Sequence, residues 1–454
     1  MLAVLVPFPV ESCLSGLQNA TLPGSPPTYQ HMVYRTLIDG GAMLREAAGL
    51  AQGPGDPGAV LLHFGAVDWQ AEVYVNGMWV GSHEGGYDGF AFDIAHALHP
   101  LLAAVPSPSS GADGSVPPPP LDEIMVVAHD PSNYGSQPFG KQRTSAMWRP
   151  AGDTYSPVSG IWQPVWLEPA PAAGRIDAVR LAPNTTHLTL SVATTPGGCG
   201  AVSVTVHTDS DPAVAAGSGR PNIPFSVPIP APMLWSPERP FLYNLTVRCG
   251  ADAVESYFGM RTVSVGRDPT TGANRPCING EYRFLTGVLD QSFWPDGIYT
   301  APGDRALASD LEAVKGFGQN YVRLHQKVNP DRWYYHADRL GVVVAQDVVQ
   351  HYGDAVQGAG SEMQSDNGGA KARHYFHDLK ALIDGRGSHP CIIQYDLFNE
   401  QDMVEDFNVS GVVRWVRGYD PTRLIDADSG GPVNVDHLGD VRQVSAIFSF
   451  FWPL

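Results

Sequence analysis

The sequence predicts a multidomain β plus α/β protein, with two β-rich segments followed by a barrel-type alternation of strands and helices. Three observations carry this. The first two segments hold short apolar runs broken by turn residues and show no helical period. From about residue 268 strand-like and helix-like patterns alternate. Gly (49) and Pro (40) together make 89 of 454 residues, about 20% against roughly 12% in average usage. That surplus points to turn-rich β architecture and inserted loops, and the length alone suggests about three domains.

The first segment, 1–171, reads as β. A short apolar run spans Ala59 to His63. Glu72-Val73-Tyr74-Val75 then leads through Asn76-Gly77 into Met78-Trp79-Val80. Asn-Gly between two such runs is the strongest short hairpin signal, because both central residues of a type I′ turn need positive φ. Further strands are expected at Glu123–Ala128 and Pro164–Leu167. Between Met78–Val80 and Glu123–Ala128, Pro106–Pro120 is rich in Pro, Ser and Gly and reads as an inserted loop, as does Gly53–Gly58 on a smaller scale. The second segment, 172–267, has alternating runs at Leu188–Val192, Val202–Val206 and Leu242–Val247. Their spacing suggests an immunoglobulin-like sandwich.

The third segment, 268–454, starts with Phe284–Leu289, read as a buried strand. Leu307, Leu311 and Val314 mark one helical face, and Asn320–His325 is the next strand. Trp333, Ala337 and Leu340 mark a second helix that Gly341 closes. Val342–Ala345 is a strand, 352–369 a loop, and Tyr375, Leu379 and Leu382 a third helix. Cys391–Phe398, a helix over 404–418 and the strand Arg423–Asp426 complete the series. Repeated strand–helix alternation implies parallel pairing, most simply a (β/α) barrel.

Composition narrows the function. With 28 Lys plus Arg against 46 Asp plus Glu, and a net charge of −18, no basic surplus exists to build a nucleic-acid surface. A neutral small molecule fits better. No run of 18 apolar residues argues for a membrane span. Five cysteines (13, 199, 249, 277 and 391) are few, odd in number and spread out. They make no zinc-type cluster, so neither a metal nor a cofactor is expected. Four N-x-Ser/Thr sequons, at Asn19, Asn184, Asn244 and Asn408, would matter only in a secreted protein. The apolar opening Met1–Val6 lacks the basic stretch of a signal peptide.

Barrel chemistry sits at the C-terminal ends of the strands. Four such ends carry polar residues: Asp290-Gln291, Arg323 with His325, Asp347, and Asn399-Glu400. A carboxyl at the barrel mouth beside an amide suits general-acid work on a hydroxylated substrate. Simpler readings stand beside this one. Glu400 caps the next helix, Asp347 serves as a cap or ion-pair partner, and Arg323 and His325 hold neighbouring strand ends.

Dense local motifs, in order, resemble glycoside hydrolase family two, the β-galactosidase, β-glucuronidase and β-mannosidase group. In the first segment they are Val6–Ser12, Gly65–Trp69, Val75–Gly77, His83-Glu84-Gly85-Gly86-Tyr87 and Ser159–Glu168. Leu234–Pro237, Pro240–Tyr243 and Phe258–Arg261 follow, and His389–Ile393 leads on to Asn399-Glu400. The resemblance implies a jelly-roll sugar-binding-like domain, an immunoglobulin-like sandwich and a (β/α) barrel. It implies a carbohydrate substrate, galactoside first, and a retaining mechanism with two carboxylates. Glu400 matches the acid/base residue and Asn399 the residue that holds the sugar 2-hydroxyl. Asp290, Arg323 and His325 match pocket-shaping regions, although His325 stands two places after Arg323 where the family often has three. The family's nucleophile is a Glu on a later strand. After Glu400 the only Glu is Glu405, and no acid follows Asp440. Asp402, Asp426 and Asp428 read as loop or strand-end residues. The expectation is therefore a partial barrel of about five strands, a chain truncated at both ends, and no hydrolysis by the chain as written. The alternative is a non-catalytic carbohydrate-binding or vestigial protein that keeps the family's domains.

Overall fold

The computed structural model describes residues 3–17, 31–50, 58–99, 120–147, 154–197, 199–351, 369–400, 408–430 and 438–441. Most of the expected insertions at 53–58 and 106–120, the loop at 352–369, the tail from Arg442, and Asp402 and Glu405 lie outside the described residues.

The first region is an antiparallel sandwich. One sheet runs His31–Ile38, Asp122–His129, Gln70–Val75, Met78–Glu84, and the other Phe90–Asp93, Ala59–Phe64, Val165–Ala170. The Asn76-Gly77 turn has φ of 51° and 78°, as the hairpin reading requires. Alternate residues of Asp122–His129 turn inward, so Ile124, Val126 and Ala128 meet Val60, Leu62 and Phe64 in one core.

The second region is also a sandwich. Its sheets are Ile176–Pro183, His187–Thr194, Phe225–Pro228 and Ala215–Gly219, Val202–His207, Tyr243–Cys249, Asp252–Phe258. Cys199 and Cys249 form a disulfide across it, with Cα atoms 5.4 Å apart. Cysteine spacing gave no sign of this bond.

The third region is a parallel sheet of five strands in chain order, labelled β1 (Gly287–Asp290), β2 (Tyr321–Leu324), β3 (Val343–Asp347), β4 (Ile392–Asp396) and β5 (Leu424–Asp426). The helices between them are α1 (Asp304–Gly316), α2 (Asp331–Leu340), α3 (Ala370–Arg386) and α4 (Val409–Tyr419). This is the partial (β/α) barrel of the sequence reading. Gly341 ends α2 at φ 70°, the left-handed position that favours glycine. Strands β3 and β4 are buried along their whole length, because helices cover one face and the barrel interior the other.

The reading of Phe284–Leu289 as a buried strand needs correction. Phe284 is 72%, Val288 41% and Leu289 52% exposed. The run is apolar, but β1 is an edge strand with one neighbour, so apolar content alone did not predict its burial.

The regions are docked through their cores. Tyr87 and Trp162 of the first and Trp235 of the second join the barrel cluster. The Trp235 indole donates to Asp338 O at 2.8 Å. At the barrel mouth, Phe139 N and Gly140 N both donate to Gln350 O (3.2 and 2.8 Å). Gly140 has φ 57°, and a Cβ there would lie 2.4 Å from Gln326 O, so this close approach requires glycine.

Candidate active site

Arg323 lies on β2 between Val322 and Leu324. Those two pack into the helix-covered core, so alternation turns Arg323 toward the barrel interior. There it spans three strand ends. Its Nε donates to Asp347 Oδ1 at 2.8 Å, and its second terminal nitrogen to Asp347 Oδ2 at 3.1 Å and to Asn399 Oδ1 at 2.7 Å. Nε is also 3.0 Å from Asp396 Oδ2. The His325 Nδ1 bonds Asp347 Oδ2. All five residues are buried.

Burial and charge work against each other in this cluster. Burial pushes the Asp347 carboxyl up, but the Arg323 charge and the His325 hydrogen bond win and hold it below the usual carboxylate range. Burial and the neighbouring Asp347 charge push Asp396 well up. Burial disfavours the Arg323 charge, yet the two carboxyls hold its pKa above the ordinary guanidinium value. One guanidinium and two carboxyls are thus locked in a fork that fixes the Asn399 amide oxygen.

Glu400 follows directly. It is exposed and has φ 53°, a left-handed conformation uncommon outside glycine. Its N–H donates to Ser429 O at 3.0 Å, while Ser429 N–H returns to Phe398 O at 2.9 Å. The Tyr375 hydroxyl and the Gln350 side-chain amide both donate to Leu397 O (2.6 and 3.2 Å). Positive φ recurs just past two other strand ends, at Ser292 (52°) and Gln326 (59°).

The fold therefore brings Arg323, His325, Asn399 and Glu400 together, and Asp290 stands apart. In the β1–β2 register Asp290 pairs with Leu324, whereas Leu289 pairs with Arg323. Asp290 thus shares the face opposite to Arg323. Its Oδ1 accepts from Ser292 N at 2.6 Å. Three features were missed in the sequence. Asp396 was visible only as one carboxylate inside an apolar run. The docking of 139–140 on Gln350 has no local signature. Lys327, buried with Nζ donating to Ser292 O (2.7 Å) and Tyr299 O (2.9 Å), looked like an ordinary loop lysine. No group of three or more His, Cys, Asp or Glu among the described residues could hold a metal. No helix among them is long and apolar enough to cross a membrane.

Comparison with known proteins identifies the family. The family model described as "Glycosyl hydrolases family 2, TIM barrel domain" matches residues 273–450. A second model of "Glycosyl hydrolases family 2" matches 175–261. The chain belongs to glycoside hydrolase family 2. Among curated relatives, a β-galactosidase of Thermoanaerobacter pseudethanolicus is 25% identical over 376 residues, covering 77% of this chain and 43% of that protein. A β-galactosidase of Vibrio cholerae is 26% identical over 258 residues, covering 56% and 24%. The family 2 chain thus spans less than half the length of these relatives. Among solved structures, an uncultured Clostridium β-glucuronidase aligns with a TM-score of 0.72 at 18% identity, covering 97% of this chain and 70% of that one. The apo β-glucuronidase of Ruminococcus gnavus gives 0.69 at 19%, covering 92% and 66%. These structural likenesses speak for the fold.

Proposed function

We propose that these residues form the proton-donor side of a retaining β-glycosidase site, with a terminal β-linked sugar as substrate. Glu400 is the acid/base group and Asn399 the contact to the sugar 2-hydroxyl. Arg323 and His325 hold that contact in place. The observation that carries the reading is the 2.7 Å bond from Arg323 to Asn399 Oδ1. It commits the amide oxygen and presents Nδ2 as the donor side, next to an exposed carboxyl on a constrained backbone.

A retaining mechanism needs a second carboxylate about 5–5.5 Å from the first, to attack the anomeric carbon. In the family this is a Glu on a later strand, and the sequence after Glu400 contains only Glu405. Asp426 and Asp428 are buried. The residues present are therefore expected to bind sugar through this half of the site. Calorimetry with methyl β-D-galactoside is expected to show binding, and 4-nitrophenyl β-D-galactoside to stay intact. Hydrolysis that Glu400→Gln abolishes would overturn the one-carboxylate reading. Absence of binding to any β-glycoside would leave only a scaffold.

A further inference from the structure

The four Asn-x-Ser/Thr triplets play no part in the chemistry described above. Such a triplet is a weak signal by itself, and its meaning depends on where the fold puts it. Asn184-Thr185-Thr186 closes the hairpin between the strands Ile176–Pro183 and His187–Thr194 of the second sandwich. Asn184 N donates to His187 O at 3.0 Å. The Asn184 side chain organises the rest of the turn. Its Oδ1 accepts from Thr186 N (2.8 Å), His187 N (2.9 Å) and the Thr186 hydroxyl (3.1 Å). This is an Asx-turn, built from neighbouring residues alone. It holds the amide and the hydroxyl side by side on a turn where Thr186 is exposed.

The other triplets lack that presentation. Asn244-Leu245-Thr246 lies in the strand Tyr243–Cys249, which has a neighbour on each side. There the Thr246 hydroxyl donates to the Glu255 carboxylate at 2.9 Å. In Asn408-Val409-Ser410 the Ser410 hydroxyl is 3.4 Å from Asn408 Oδ1. The Asn408 amide nitrogen lies against Gly411, 2.5 Å from where a Cβ there would stand. Asn19 lies outside the described residues.

A second observation concerns the compartment. The same sandwich holds the Cys199–Cys249 disulfide, which joins residues 50 apart in sequence. Disulfides persist in oxidising compartments, the secretory route among them, and are rare where thiols are kept reduced. Asn-x-Ser/Thr triplets are glycosylated on that same route.

We propose that Asn184 is an N-glycosylation site of this chain. The donor class is an oligosaccharide joined through diphosphate to a polyprenyl lipid. Asn184 Nδ2 bonds to the anomeric carbon of that oligosaccharide, and the bond from this carbon to the diphosphate oxygen breaks. One amide proton leaves to a base of the transferase, and the lipid diphosphate departs. No oxidant or reductant takes part. Nδ2 keeps one N–H for the 3.0 Å contact it makes with His187 Nε2.

The test is peptide mapping of the full chain purified from the cells that produce it, before and after treatment with peptide N-glycosidase, which removes the sugar and leaves Asp in place of Asn. The peptide that contains residue 184 is expected to carry sugar before treatment and to show that conversion afterwards. Unreduced digests are expected to yield Cys199 and Cys249 joined. Among variants returned to the same cells, Thr186→Ala is expected to abolish the modification, Thr186→Ser to keep it, and Asn244→Gln to leave the sugar content unchanged. An unmodified Asn184 peptide from the wild type overturns the proposal. Free thiols at Cys199 and Cys249 overturn it too, because the chain then meets no oxidising compartment. Sugar on Asn184 that survives Thr186→Ala also overturns it, since the attachment then does not depend on the hydroxyl.

Discussion

The two ends of the barrel sheet both bury arginines and use them differently. At the mouth, Arg323 is spent on side chains: Asp347, Asp396 and Asn399. At the opposite end, Arg261 donates to the carbonyls of Pro390 (2.5 Å) and Ile392 (2.6 Å), and Arg423 to those of Ile392 and His389 (3.1 and 2.9 Å). Burial and the neighbouring Arg423 charge pull the Arg261 pKa down to about 9, whereas the Arg323 carboxyls hold its pKa up. The lower end ties arginine side chains to backbone carbonyls, with Arg423 also 3.3 Å from Asp420 Oδ2, and contributes rigidity. The upper end orients functional groups and depends on charge balance, so removing one member exposes the others.

The largest expected effect follows from that asymmetry. Arg323→Met leaves Asp347 and Asp396 buried without their cation, which costs about 3–5 kcal/mol. Urea unfolding should show it, and a loss below about 1 kcal/mol would break the comparison. Arg261→Met strands the Pro390 carbonyl, leaves Ile392 O to Arg423 alone, and removes a cation without stranding a paired carboxylate. We expect it to cost roughly 2 kcal/mol and to leave sugar affinity unchanged, and a matching loss of affinity would show that the two ends are not separable. Asn399→Ala removes one buried hydrogen bond to a charged donor and should cost about 1.5 kcal/mol while weakening galactoside binding about tenfold. An unchanged affinity in calorimetry would remove Asn399 from the site.

A separate expectation concerns pH. In and around the first sandwich, burial raises Glu11 to about 8 and Asp130 and Asp378 to about 6. The native state then binds more protons than the unfolded chain, so these groups lose stability as pH rises from about 4 toward their folded values. Asp347 is depressed, so its contribution is lost only as pH falls below the ordinary carboxylate value of about 4. Lys327 opposes the first trend, but only above about 7. The urea midpoint is therefore expected to drop between pH 5 and pH 7, and a rise over that interval would contradict the assignment.

Much of this was legible in the sequence, for reasons that can be named. Alternation in Val202–Val206 and the Asn76-Gly77 pair report local geometry, and local geometry decided those elements. The strand ends at Arg323, Asp347 and Asn399 were visible because a polar residue closing an apolar run is a local event too. What failed was non-local. Phe284–Leu289 has the composition of a buried strand, and only the sheet order leaves it at an edge. Asp290 looked equivalent to Arg323, and only the register puts it on the other face. Cys199 and Cys249 carry no spacing that identifies them as partners, and Asp396 gains its meaning from Arg323, which lies on another strand.

The bridge between Gly140 and His351 has a consequence in time. Strands and helices of the barrel can form from neighbouring stretches of chain, but this rim contact joins residues far apart in sequence, and such closures come late and slowly in folding. Sugar-binding competence should therefore lag behind the recovery of secondary structure when the chain refolds. A fragment that begins after the first sandwich would regain its helices without ever completing the rim of its own mouth.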